Sequence, residues 1–116
     1  NTTSARDGAT DFNRTEVVGL SGRPLLRRST RMLARVHAHV EGRLPLIGIG
    51  GVDSGETALA KIEAGASLVQ LYTSLVYEGP GLVRRIKRDL VRILGGRDIA
   101  GLVGTKARSW AETALE

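Results

Sequence analysis

The chain has 116 residues, of which 41% are hydrophobic and 25% charged, a composition typical of a globular protein and not of a disordered one. The absence of cysteine excludes disulfides, thiolate metal sites and thiol nucleophiles. Although the net charge is +5, the basic residues lie along predicted helices and few aromatic side chains could stack on bases. We therefore expect no nucleic-acid partner.

The first 28 residues indicate a loop, because no regular apolar period precedes Val17. The chain starts at Asn1 and not at methionine, which is typical of a fragment. It also lacks the basic start and apolar core of a signal peptide. No apolar run approaches the ~20 residues of a membrane-spanning helix. Any membrane contact is therefore expected to come from outside this stretch.

A helix is predicted over residues 29–41, where Leu33, Val36 and Val40 recur at helical spacing before Gly42. His37 and His39 are two residues apart, so they point to different sides of this helix. They cannot form the i, i+4 pair that a helical metal site uses. We interpret both histidines as surface residues.

Two apolar runs flank a second predicted helix. The first, from Leu44 to Ile49, is nearly continuous, as in a parallel strand buried on both faces. Asp53 and Glu56 have the spacing of a capping box, so we expect a helix to begin there and to end at Gly65. The second run, ASLVQLYTSL, predicts another buried strand.

The stretch from Gly81 to Gly96 predicts an amphipathic helix that covers the sheet. Its expected apolar side consists of Leu82, Val83, Ile86, Leu90, Ile93 and Leu94. Its expected solvent side consists of Arg84, Arg85, Lys87, Arg88 and Arg92. A weaker last helix is expected in the tail, residues 97–116, because Gly101 and Gly104 disfavour a regular one.

The alternation of helices and buried strands predicts an α/β fold with a parallel sheet and right-handed crossovers. Two strands alone would leave two apolar sheet edges unpaired. We therefore expect the chain to be one portion of a larger α/β body of about 200–300 residues.

Glycines follow the first predicted strand at the point where a helix begins. Backbone amides can approach a phosphate where side chains are absent, and a helix N-terminus adds favourable partial charge. Gly50 and Gly51 meet that need, and Tyr72 with Thr73 ends the neighbouring strand. A Rossmann dinucleotide turn is disfavoured, because its third glycine would fall on Asp53. A structural alternative stays open, in which the glycines only relieve crowding in a tight turn.

Four segments carry a resemblance to a known family: NTTSARDG, GLSGRPLLRRST, the stretch from Gly42 to Pro80, and the helix after it. Together with the LVQLYT…GP ending, they resemble the C-terminal part of the dihydroorotate dehydrogenases, specifically the quinone-dependent, membrane-associated class. The resemblance implies the C-terminal portion of an FMN-binding (β/α)8 TIM barrel, with two parallel strands and their flanking helices. It also implies oxidation of dihydroorotate to orotate in pyrimidine biosynthesis, with a quinone as electron acceptor.

The resemblance further implies roles for single residues. Asn1 and Thr2 match positions that hydrogen-bond the pyrimidine substrate. The positions that match the FMN site are Gly22, Gly51, Tyr72 and Thr73. We expect no catalytic residue and no metal ligand here, because the family's serine base, flavin-side lysine and quinone-admitting N-terminal helices all precede this sequence. The chain alone is therefore expected to be inactive.

By the same resemblance, the enzyme would lie on the cytoplasmic side of the cell membrane, attached peripherally through the missing N-terminal region. Two alternatives stay open: another phosphate- or FMN-binding TIM-barrel enzyme, and a basic non-catalytic interaction domain. Gly51→Val is expected to lose FMN while the fold survives. A variant that kept FMN would favour the crowding interpretation.

Overall fold

Two parallel strands joined by a helical crossover form the centre of the structure. The computed structural model of the chain describes residues 2–4 and 19–114. Strand β1 spans Ile47–Ile49 and strand β2 spans Leu68–Gln70, with Ile47 opposite Leu68 in a parallel register. The helices of this part are α1 (Leu26–Val40), α2 (Gly55–Glu63), α3 (Thr73–Glu78), α4 (Gly81–Leu94) and α5 (Ala107–Glu112). The predicted α/β class with two parallel strands is confirmed.

Only one face of the strands packs on helices. Gly48 faces Leu33 of α1 and Ala66 at the end of the crossover, with no room for a side chain between them. Ile47 and Leu68, in contrast, are 54% and 64% exposed. Burial on both faces was predicted for strands within a larger α/β body and stays a prediction, because no described residue covers the face that carries Ile47 and Leu68.

The second predicted strand is shorter than its apolar run. Only Leu68–Gln70 pairs with β1, and Thr73 already begins helix α3. Leu71 and Leu75 instead pack against the buried cluster between α2 and α4. Leu71 and Leu75, which were predicted to lie in the strand, therefore contribute to packing between helices.

Helix α1 begins earlier than predicted, at Leu26, after a 3₁₀ turn over Arg23–Leu25. His39 is exposed, as predicted, whereas His37 is half-buried. The His37 ring lies so close to Gly65 and Gly104 that neither position has room for a side chain. The sequence could not show this contact, because both glycines are distant from α1 along the chain.

Helix α2 begins with a capping box, but one residue later than predicted. Ser54 is the N-cap, and its hydroxyl accepts a hydrogen bond from the Thr57 amide. The Thr57 hydroxyl in return accepts from the Ser54 amide at 3.0 Å. Asp53 and Glu56 therefore do not form the box, because serine and threonine satisfy the same backbone donors.

Helix α4 covers α2 through a buried apolar cluster. Its members are Val52, Ala58, Leu82 and Ile86, with Val69, Leu71, Leu75 and Leu90 packed around them. Val83 was predicted on the apolar side, but it is 43% exposed because it lies at the edge of the α4 contact. The predicted solvent side is confirmed, since all five of its basic residues are exposed.

The tail docks onto the outer helices. Ala107 of α5 packs against Ala34 of α1 and Ala64, and Trp110 borders this cluster. The Gly104 amide donates to the Ile62 carbonyl at 3.0 Å, and the Lys106 ammonium lies 2.9 Å from the Glu63 carboxylate. Across residues 2–4 and 19–114, no helix has the length and apolarity needed to cross a bilayer.

We predict that Ser54→Ala lowers the free energy of unfolding by about 1 kcal/mol, because the first turn of α2 loses a side-chain acceptor for its backbone amides. Urea denaturation of the protein measures this change. Ser67→Ala is the matched control, since Ser67 is exposed and lies outside the helix caps. Equal stability of the two variants would contradict the capping role.

Candidate functional site

A cavity of about 430 Å³ opens at the carboxyl ends of β1 and β2. Four segments line it, and they include Thr2, Ser21 with Gly22, residues 49–52, and residues from Leu71 to Tyr77. The predicted site residues that line it are Thr2, Gly22, Gly51, Tyr72 and Thr73. Asn1, the sixth, lies outside the described residues. The structure thus brings together residues up to 71 positions apart in sequence, while their roles in binding stay predictions.

Backbone pairing positions the first two segments of this cavity. Thr3 and Leu20 form an antiparallel bridge, with N–O distances of 3.1 and 2.8 Å. The bridge brings Thr2 beside the Ser21–Gly22 segment. The Thr73 hydroxyl then donates to the Ser21 hydroxyl at 3.1 Å, which joins this segment to the start of α3.

Gly22 lies against Thr73 across the cavity. Its φ is +82°, and a Cβ atom there would be 3.2 Å from the Thr73 methyl group. Glycine therefore fits this position for two reasons, the left-handed backbone and the close neighbour. The segment can approach a ligand through its backbone.

Gly51 also combines a left-handed backbone with a close neighbour, and the neighbour is closer than at Gly22. Its φ is +76°, and a Cβ atom would lie 2.7 Å from the Cα atom of Leu26. Its amide donates no hydrogen bond to any residue within 2–4 or 19–114. The close approach to α1 means that Gly51→Val would disturb packing as well as any ligand. Loss of FMN in that variant therefore cannot separate the phosphate role from the crowding interpretation.

An ion pair connects the two glycine segments on the outer side of the cavity. The Arg23 guanidinium donates through Nε to Asp53 Oδ2, and Asp53 Oδ1 accepts from the Thr57 hydroxyl at 3.2 Å. The hydrogen bond and the negative charge of Asp53 both raise the pKa of Arg23. Since the Arg23 side chain is 84% exposed, water screens this pair and its contribution to stability is small.

The cavity is open on the side of two tyrosines. Tyr72 and Tyr77 are 74% and 84% exposed, although both line it. The Ser74 hydroxyl donates to the Val52 carbonyl and so holds the start of α3 against the loop after β1. A flat ligand could therefore enter between a fixed backbone wall and exposed aromatic side chains.

Sequence reasoning missed one buried ionisable group behind this cavity. Lys61 has 0% relative exposure, and its ammonium donates to the Ser29 hydroxyl at 2.5 Å. Burial lowers the pKa of Lys61 to about 8. A signal was present in the sequence, because Lys61 follows Ala58 by three residues and precedes Ile62 on the predicted apolar face of α2.

The polar groups around the cavity suit binding rather than acid–base chemistry. They are hydroxyls and backbone groups, and no cluster of three metal-ligating side chains occurs in the described ranges. Hydroxyls and amides can hold an anion or a polar ring by hydrogen bonds. The arrangement therefore indicates a ligand-holding wall.

The sequence profile described as dihydroorotate dehydrogenase matches residues 1–94. The chain belongs to the dihydroorotate dehydrogenase family. A Cereibacter sphaeroides protein named dihydroorotate dehydrogenase (quinone) is 56% identical over 113 residues, which cover 95% of this chain and 32% of that protein. A Bradyrhizobium diazoefficiens protein of the same name is 56% identical over 112 residues, which cover 92% and 31%.

Solved structures give the same family. Ligand-free DHODH from Eimeria tenella matches with a TM-score of 0.87 and 36% identity, over 93% of this chain and 31% of that one. The ferulenol complex of DHODH from the same organism matches with a TM-score of 0.85 and 37% identity, over 93% and 30%. The chain thus spans about a third of the length of the dihydroorotate dehydrogenases that it matches.

We predict that Gly51→Ala destabilises the protein by about 1–3 kcal/mol, because it adds backbone strain and a contact with Leu26. Gly42→Ala is the matched control, since Gly42 has φ +75° but nothing within 4 Å of an added Cβ atom. Thermal unfolding of both variants measures the difference. If Gly42→Ala is equally destabilised, the contact with Leu26 contributes nothing.

We also predict that burial of Lys61 makes stability depend on pH. The folded pKa of about 8 lies below the ordinary 10.5, so between these values the unfolded chain binds more protons. The free energy of unfolding of the wild type should therefore rise with pH across this window, relative to Lys61→Met. Denaturant titrations at a series of pH values measure this difference. A pH-independent difference would show that Lys61 titrates normally.

Proposed function

We propose that this chain supplies part of the FMN site and of the substrate site of a quinone-dependent dihydroorotate dehydrogenase. The observation that carries the proposal is the single cavity shared by Thr2, Gly22, Gly51, Tyr72 and Thr73. These residues come from separate segments, and each matches a family position that contacts substrate or flavin. The names of the Cereibacter and Bradyrhizobium relatives support the assignment of the reaction.

The residues present fit the phosphate end of FMN. Gly22 and Gly51 both line the cavity with a left-handed backbone, and the Gly51 amide has no acceptor among the described residues. A phosphate needs such side-chain-free amides, with hydroxyl donors beside them. The hydroxyl of Thr73 lies at the same edge. In this proposal Gly22, Gly51, Tyr72 and Thr73 hold the FMN phosphate and its neighbouring atoms.

We propose further that the two strands belong to a (β/α)8 barrel. The exposed face of the strands carries Ile47, Ile49 and Leu68, the apolar residue types that fill a barrel interior. Helices α1, α2 and α4 cover the opposite side, as the outer helices of a barrel do. The candidate cavity lies at the carboxyl ends of the strands, which is where sites of this fold form.

The proposed reaction removes two electrons and two protons from dihydroorotate, and these reduce a quinone to a quinol. Bound FMN supplies the hydride acceptor. Within this chain, Thr2 can orient the substrate, because its hydroxyl both donates and accepts hydrogen bonds to ring amide and carbonyl groups. Asn1 has the matching role by family resemblance. The base that takes the substrate proton lies outside this chain in the proposal, so the chain alone is expected to be inactive.

A quinone acceptor also suggests a membrane. In the proposal, contact with the cytoplasmic side of the cell membrane is peripheral and is made by N-terminal residues that this sequence does not contain. The basic face of α4 is not needed for that contact. Arg85 and Arg92 lie next to Glu78 and Asp89, at 2.7 and 3.3 Å, so part of that positive charge is already neutralised.

The proposal is tested in a protein of full length. We call this protein the full-length host: the Cereibacter sphaeroides relative, with its matching segment exchanged for this chain. The host should bind FMN and oxidise dihydroorotate with a soluble quinone but not with NAD. A folded host that binds FMN but oxidises only another substrate would favour a different flavin-dependent enzyme. A folded host that binds no flavin would contradict the proposal altogether.

Thr73→Val tests the phosphate role better than a change at Gly51, because the two side chains have nearly the same shape and helix α3 keeps its backbone. We predict a roughly tenfold increase in the dissociation constant of FMN, through loss of one hydroxyl near a charged group. Riboflavin lacks the phosphate, so its affinity should stay unchanged.

Fluorescence quenching of each flavin by the full-length host measures these affinities. Thr105→Val is the matched control, because Thr105 is exposed and does not line the cavity. Equal losses of FMN and riboflavin affinity in Thr73→Val would place Thr73 at another part of the flavin.

A further inference from the structure

The buried lysine of α2 lies directly behind the glycine turn after β1. This residue is Lys61. A Cβ atom added to Gly48 would lie 2.9 Å from the Lys61 Cβ atom, so the lysine side chain begins against the middle of β1. The side chain is completely buried. Burial of an ammonium costs free energy unless the group is paired and hydrogen-bonded. The burial of Lys61 therefore needs a compensating interaction or a function.

No carboxylate stabilises this charge in the part of the chain that is described. The ion pairs there do not include Lys61, and desolvation is the cause of its lowered pKa. The elements packed around it present Ser29 from α1, Gly48 from β1 and Ala66 after α2. None of these neighbours titrates.

The ammonium fixes the direction of a short hydrogen-bond chain. Lys61 donates to the Ser29 hydroxyl, which therefore has its single proton available for a carbonyl. The carbonyl oxygens of Leu25 and Gly50 lie 2.8 and 3.1 Å from Ser29 Oγ, and that of Leu26 lies at 3.3 Å. The Ser29 hydroxyl shares its single proton between the nearest carbonyl, that of Leu25, and the Gly50 carbonyl, and so connects the start of α1 with the turn after β1.

The bond to Gly50 has a consequence for the next residue. The C=O of Gly50 and the N–H of Gly51 belong to one planar trans peptide, in which they point in opposite directions. Since the carbonyl is directed at Ser29, the Gly51 N–H is directed away from it. Both Gly50 and Gly51 line the cavity, whereas Ser29 does not.

We propose that Lys61 is a positioning residue that acts through Ser29 to hold the Gly50 carbonyl, and thereby aims the Gly51 N–H at the phosphate of FMN. This inference rests on the proposed function. The positive charge adds to the effect, because bonds in a hydrogen-bonded chain polarise one another and make the terminal N–H a better donor. Lys61 itself touches no ligand.

The affinity for FMN in the full-length host tests this arrangement. Lys61→Met should raise the dissociation constant of FMN about tenfold and leave that of riboflavin unchanged. Ser29→Ala should have the same effect. The double variant should lose no more than Ser29→Ala alone, because residues in one chain of bonds are not additive. Lys87→Met is the control for loss of a lysine charge, since Lys87 is exposed on α4.

A pH series distinguishes positioning from a packing role. From about pH 7 to about pH 9.5 the phosphate of FMN stays doubly ionised, whereas Lys61 loses its proton. FMN affinity of the wild-type host should fall across this range, and the fall should be absent in Lys61→Met. If Lys61 had only a packing role, Lys61→Met would lower the affinities for FMN and for riboflavin equally. The FMN affinity of that variant would then still fall with pH as in the wild type.

The outcomes separate this inference from the proposed function. A wild-type host that is folded but binds no FMN contradicts both. Tight FMN binding that neither Lys61→Met nor Ser29→Ala changes contradicts the positioning role alone. Where Lys61→Met does not fold, Ser29→Ala with the FMN and riboflavin comparison decides the question.

Discussion

The parallel pairing of β1 with β2 is the constraint on which the rest of the structure depends. Parallel strands require a crossover, and α2 with its Ser54 cap provides it. The pairing places the carboxyl end of each strand at one edge, so the loop after β1 and the start of α3 meet there. The cavity, the glycine turns and the Thr73–Ser21 contact all follow from that edge.

Much of this could be predicted from the sequence, because the features concerned are local. Helical apolar spacing predicts α1 and α4, and the continuous apolar run before Gly50 predicts β1. The site residues were found by resemblance to a family. Their spacing alone left a tight turn as an open alternative, and the structure shows that Gly51 has both a left-handed backbone and a close contact with Leu26.

The parts that could not be predicted depend on contacts between distant segments. The position of Lys61 on the predicted apolar face of α2 was a signal in the sequence, but its enclosure by α1 and β1 and its hydrogen bond to the Ser29 hydroxyl depend on segments distant along the chain. The run that ends at Leu75 favours a strand. Thr73 instead begins helix α3, because Leu75 packs against the apolar cluster between α2 and α4. Propensity gives way to packing in each case, because burial contributes more free energy than a local preference.

The contact of His37 with Gly65 and Gly104 couples three positions from three different segments of the chain. Any side chain added at either glycine would overlap the imidazole ring, so neither glycine can change while the histidine stays. A smaller residue at position 37, in turn, would leave a void between α1 and the tail. We therefore expect these three positions, whose contact joins the tail to α1, to coevolve.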